Sequence, residues 1–66
     1  MEIIVNGEIQ EVPSQTSLQQ LIRALELEGT RVAVELNKEL VRRNHWAETE
    51  LHEQDQVEIV QFVGGG

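Results

Sequence analysis

Sixty-six residues, with twelve acidic side chains against five basic ones and a net charge of −7, make one small acidic domain. That length supplies one core, from which carving a catalytic pocket of roughly 300–1,000 Å³ would remove much of what holds it together, while the charge opposes nucleic acid and anionic membrane, which demand a basic footprint. With no cysteine, no signal-peptide pattern and no apolar run long enough to cross a bilayer, the chain excludes disulfides, thiolate metal sites and thiol nucleophiles, and the expectation is a cytoplasmic protein, monomeric alone, that handles other proteins.

Glu2-Ile3-Ile4-Val5 has strand composition, and Asn6-Gly7 is the dipeptide most favoured in a tight hairpin because both positions tolerate positive φ. Glu8 to Val12 returns antiparallel and ends at Pro13, which cannot donate to a ladder. The period then changes. Leu18, Leu21, Ile22 and Leu25 fall at i, i+3, i+4 and i+7, one apolar stripe along a helix. Its start fits a capping box made by Thr16 with Gln19 or by Ser17 with Gln20, and Gly29 suits the left-handed position past its end.

Period two resumes at Val32, Val34 and Leu36, followed by an Asn37-Lys38 turn and a short strand at Leu40-Val41. From Arg42 to Gln56 the pattern is irregular, with Trp46 and Leu51 its only large apolar residues. It reads as a loop with a helical turn, pinned by the indole. The final run Val57 to Val63 is β-branched and aromatic, and passes without a turn into Gly64-Gly65-Gly66.

A helix packed across one face of a mixed sheet buries its stripe against Ile3, Val5, Val32, Val34, Val57 and Ile59. This order of elements predicts an α+β fold, the β-grasp or ubiquitin-like architecture, with four or five strands, over residues 1–63 and a tail at 64–66. Period two then points Ile4, Val60 and Phe62 outward, where they are expected to form an apolar docking patch at the root of the tail.

No other constellation has comparable support. His45, Glu48 and His52 share a face only on a continuous helix that the loop composition disfavours, so no metal site is expected. Ser14, Ser17, the histidines and Asp55 lack a nucleophile motif. Arg42-Arg43 is a minor basic pair, and Lys38 is a turn residue. The glycine run is followed by no helix and is not a phosphate loop.

The remaining centre is the terminal carboxylate itself. Glycines carry no side chain and fit a slot too narrow for other residues. An α-carboxylate is ionised at neutral pH and unreactive as an acyl donor until activated. A partner that binds ATP activates it as an acyl-adenylate, which a sulfur or nitrogen nucleophile then cleaves. A chain with no cysteine of its own suits the passive carrier role.

Several segments carry a resemblance to a known family. These are Ile3-Ile4-Val5-Asn6-Gly7, Thr16-Ser17-Leu18, Val34-Glu35-Leu36-Asn37, Trp46 to Leu51, and Asp55 to Val60 running into Val63-Gly64-Gly65-Gly66. Together, over essentially the whole length, the chain resembles the ThiS sulfur carriers of thiamine biosynthesis. The resemblance implies that Gly66, with Gly64 and Gly65 as its lead, is adenylated by a ThiF-type enzyme. ATP and magnesium belong to that partner, and no cofactor is bound by the carrier. The carboxylate becomes a thiocarboxylate, with sulfur from a donor such as a cysteine desulfurase, and the thiazole synthase ThiG takes the sulfur. Two positions depart from the family pattern: Gln54 stands where a glycine is usual, and Arg42 where a proline often follows the short strand. Both bear on loop geometry. The rival readings are a small subunit of molybdopterin synthase, which usually carries proline before its glycines, a modifier joined to lysines, and a plain interaction module.

Overall fold

The computed structural model describes residues 1–62. Five strands form one sheet: β1 (Glu2–Val5), β2 (Glu8–Glu11), β3 (Val32–Leu36), β4 (Glu39–Val41) and β5 (Gln56–Gln61). They lie in the order β2-β1-β5-β3-β4. The outer pairs are antiparallel hairpins, β5 is antiparallel to β3, and β1 and β5 run parallel. With the α-helix α1 (Leu18–Ala24) between the hairpins, this is the β-grasp arrangement expected from the order of elements.

Both hairpin turns follow from residue chemistry. Asn6 and Gly7 have φ of 50° and 84°, and Asn37 and Lys38 have 51° and 73°. Two successive left-handed residues match the twist of the flanking strands, and asparagine adopts that region with little strain.

The two possible capping boxes resolve in favour of Ser17. Its hydroxyl accepts the Gln20 N–H at 3.1 Å, and the Gln20 side-chain oxygen accepts the Ser17 N–H at 2.8 Å. The buried Thr16 hydroxyl instead donates to the Pro13 carbonyl at 2.6 Å, which folds the connection from β2 onto the helix start. At the other end the expectation for Gly29 is overturned. The helix stops at Leu25, and Glu26, with φ 61°, takes the left-handed position. Leu27 N–H bonds Ile22 O and Glu26 N–H bonds Arg23 O, both at 3.0 Å, which completes a Schellman closure. Leu27 is drawn back onto the core in the process, and that apolar contact ends the helix ahead of the glycine.

Ile3, Val5, Leu18, Leu21, Ile22, Val34 and Val57 are buried between helix and sheet. Leu25, Val32 and Ile59 pack at the margin, because a helix of seven residues does not cover the whole face. The connection from β4 to β5 closes one end of this core. It contains a 3-10 helix (Arg43–Glu48) whose Trp46 is 2% exposed, and its indole N–H donates to Val41 O at 2.9 Å. Leu18 N–H bonds Thr49 O at 2.8 Å and Leu51 N–H bonds Thr16 O at 2.9 Å, so the loop is tied to the helix start by backbone on both sides of Glu50. Full burial of side chains of this size contributes about 1.5–3 kcal/mol each. Trp46 and Leu51 therefore belong to the core as much as the helix stripe does.

Candidate functional site

The strand that leads to the glycines is the most heavily anchored element. At its start Asn37 uses its whole amide. Asn37 Oδ1 accepts the Gln56 N–H at 2.9 Å, Asn37 Nδ2 donates to Asp55 Oδ1 at 3.0 Å, and Asn37 N–H bonds Gln56 O at 2.7 Å. Further along, Ile59 N–H donates to Asn6 Oδ1 at 2.8 Å and Asn6 Nδ2 donates to Ile59 O at 3.3 Å. The side chain of Asn6 thus continues the β1–β5 ladder where β1 has already turned away. The two hairpin asparagines, read from sequence as turn formers, hold the same strand from opposite neighbours. At the far end Phe62 N–H bonds Arg31 O at 3.0 Å, so β5 is paired up to the last described residue.

Gly64, Gly65 and Gly66, the expected carrier residues, lie outside the described residues. Of the expected docking side chains, Val60 and Phe62 are 57% and 53% exposed on the face turned from α1. Ile4 faces the same way and is half-buried, but register separates it from them. Ile4 is opposite Gln56 on β5 and opposite Ile9 on β2. Val60 lies four residues beyond Gln56, roughly 13 Å along the strand, and Glu58 stands between. The outer face therefore carries two apolar areas, Ile4 with Ile9 and Val60 with Phe62, on either side of an acidic row. Period two gives the direction of each side chain; only strand register gives this spacing.

Arg43 is held at the base of the same strand end. Its guanidinium lies 4.8 Å from the Trp46 ring centroid and donates to Glu28 O at 3.2 Å and Thr30 O at 3.1 Å. With Arg31, Val32 and Phe62 it lines an open cleft of about 290 Å³. A larger cleft, about 410 Å³, is lined by Val12, Pro13, Thr16, Leu21 and their neighbours at the helix start, and no residue of β5 contributes to it. The Glu28 carboxylate accepts from Arg23 at 2.8 Å and from Gln19 at 3.0 Å. The Arg23 hydrogen bond, then that of Gln19, holds its pKa below the ordinary carboxylate value.

Among the described residues no three potential ligands are grouped to hold a metal ion. His45 sits in the 3-10 helix, whereas His52 lies beyond it, with Nδ1 3.9 Å from Asp55 Oδ2. Gln54, where the resembling family usually has glycine, has φ 69°, so the turn keeps a glycine-like conformation without the glycine. Gln54 N–H bonds Glu2 O at 2.7 Å, which ties this turn to β1. Arg42 has extended backbone, with φ −71° and ψ 150°, a conformation open to proline too. No helix of the described residues is long and apolar enough to cross a membrane.

A family description of ThiS matches residues 3–66, so the match takes in β1 from Ile3, the other four strands and the terminal glycines. The chain belongs to the ThiS family. A sulfur carrier protein ThiS of Bacillus subtilis is 44% identical over 50 residues, 76% of each chain. A crystal structure of a thiamine biosynthesis protein (ThiS) from Geobacter metallireducens superposes with a TM-score of 0.85 at 33% identity, covering all of both chains. A thiazole synthase of Magnetococcus marinus is 41% identical over all 66 residues. This ThiS-family chain spans about a fifth of the length of that synthase and of a second one, from Paramagnetospirillum magneticum (20% of each).

Proposed function

We propose that this chain is a sulfur carrier of thiamine biosynthesis, a co-substrate of partner enzymes rather than an enzyme, working in the cytoplasm. The observation that carries this reading is the family match running through residue 66, which brings Gly64, Gly65 and Gly66 inside the shared pattern. A ThiF-type enzyme holding ATP and magnesium loads it. A carboxylate oxygen of Gly66 attacks the α-phosphate, the bond to pyrophosphate breaks, and an acyl-adenylate forms. The persulfide sulfur of a donor such as a cysteine desulfurase then adds to the acyl carbon and AMP leaves, which gives an acyl disulfide. A thiol attacks the donor's own sulfur, forming a new disulfide with it and releasing the thiocarboxylate on Gly66. The anchoring of β5 by Asn6 and Asn37 supports this role, because a strand held on both sides presents its end in one direction.

Thiazole synthase is the acceptor in this reading. Support comes from relatives in which a stretch similar to the whole chain forms a fifth of a thiazole synthase. That favours thiazole chemistry over molybdopterin synthase, as does Gln61-Phe62-Val63 in place of a proline-containing lead. Val60 and Phe62, with Ile4 as a separate contact, make the docking surface. Intact-mass measurement after incubation with the loading enzyme, ATP and a sulfur source tests the proposal. The expected product has one oxygen of Gly66 replaced by sulfur, lost when Gly65-Gly66 is removed. An unchanged mass with a demonstrably active enzyme refutes it.

A further inference from the structure

The outward face of the sheet carries an unrelieved pair of like charges at its centre. Glu35 on β3 and Glu58 on β5 are direct antiparallel partners, both exposed, on the side away from α1. Carboxylates in that relation repel one another and weaken the strand pairing. Among the described residues neither takes part in an ion pair, although Lys38 and Arg42 are near in sequence. A second such pair, Glu2 with Glu11 on β1 and β2, differs in having the N-terminal ammonium 3.8 Å from Glu11 Oε2.

The central pair has exposed aliphatic side chains on two sides and an amide on a third. Leu40, opposite Glu35 on β4, is 64% exposed, and Val60, which follows Glu58 on the same face of β5, is 57% exposed, while exposed Gln56 precedes Glu58 on that face with half-buried Ile4 opposite it. Two carboxylates flanked by the exposed aliphatic side chains of Leu40 and Val60 are complementary to one cation whose stem lies against apolar surface. A planar guanidinium suits them better than an ammonium, since its fork of N–H donors serves both carboxylates at once. A second copy of this chain would bring four carboxylates together between bodies of charge −7.

We infer that this face docks a protein surface presenting an arginine ringed by apolar side chains, with the guanidinium entering between Glu35 and Glu58. The inference rests on the carrier reading in assigning that surface to the enzyme that adenylates Gly66, which must hold the body while the tail is in its active site. The acid pair then destabilises the free chain and strengthens the complex, a combination that a merely solvated acidic surface does not give.

The test compares Glu35→Gln, Glu58→Gln and the double variant with Glu26→Gln, which removes the same charge beyond the end of α1. Thermal denaturation of the free chain and equilibrium binding to the adenylating enzyme are measured for each. Neutralising either central glutamate is expected to raise Tm by about 1–5 °C, as relief of one cross-strand repulsion does in a domain of this size. The same variants are expected to bind the enzyme about tenfold or more weakly, while Glu26→Gln leaves binding unchanged. Binding of the central variants equal to that of Glu26→Gln, with the thiocarboxylate still formed, overturns this inference and leaves the carrier reading standing. A drop in Tm also overturns it, because the pair would then support the fold. A wild-type chain that neither binds the enzyme nor gains sulfur overturns both.

Discussion

The side-chain amide of Asn6 pairs with the backbone of Ile59 through both of its polar ends, at 2.8 and 3.3 Å, across 53 residues of sequence. A turn residue thereby serves as the last rung of a parallel ladder. This explains how β5 stays registered past the end of β1.

Asn6→Gly separates the two roles of this residue. Glycine keeps the left-handed backbone at φ 50° and removes only the side chain. The expected loss is about 1 kcal/mol, in keeping with the net worth of exposed hydrogen bonds. Denaturant unfolding measures it, and amide exchange should show faster opening at Ile59 than at Val34. A variant as stable as the parent would show that the ladder needs no such rung.

Gln54 is held at φ 69°, where a residue with a Cβ is strained, and its side chain makes only an exposed contact to Glu53 at 3.3 Å. Gln54→Gly should stabilise the chain by about 0.5–1 kcal/mol, the strain relieved less the extra freedom gained by the unfolded chain. A rise in the unfolding midpoint at unchanged denaturant slope is the expected reading. A fall would mean that the turn relaxes without cost around glutamine.

Val60→Lys addresses the proposed docking surface. Val60 is 57% exposed, so the substitution should change stability by no more than about 0.5 kcal/mol. It places an ammonium among the aliphatic side chains beside the Glu35–Glu58 row, where it opposes any incoming cation. Loss of binding to the adenylating enzyme is expected with no fall in Tm, since an ammonium beside the two carboxylates relieves their repulsion. Undiminished affinity would remove Val60 from the interface.

The element order, and with it the fold, was legible because each signal is local. Asn6-Gly7 and Asn37-Lys38 have turn chemistry, the stripe at Leu18, Leu21, Ile22 and Leu25 has helical period, and Val32–Leu36 has period two. The terminal glycines and the carboxylate proposed to be loaded are equally local, as is the resemblance that the match over residues 3–66 bears out. The end of the helix was misread for a physical reason. Glycine is the favoured left-handed residue, but the pull of Leu27 onto the core placed that conformation at Glu26.

What only the tertiary structure decided is which residues meet across the sheet. Period two sends Ile4, Glu58, Val60 and Phe62 to one face, yet it says nothing of register. The parallel pairing of Ile4 with Gln56 is what parts Ile4 from Val60, and the antiparallel pairing of β3 with β5 is what sets Glu35 against Glu58. The clamps from Asn6 and Asn37 are hidden in sequence for the same reason, since a side-chain hydrogen bond to a strand many residues away depends on strand order. Local chemistry fixes which elements form; long-range pairing fixes which of their side chains become neighbours.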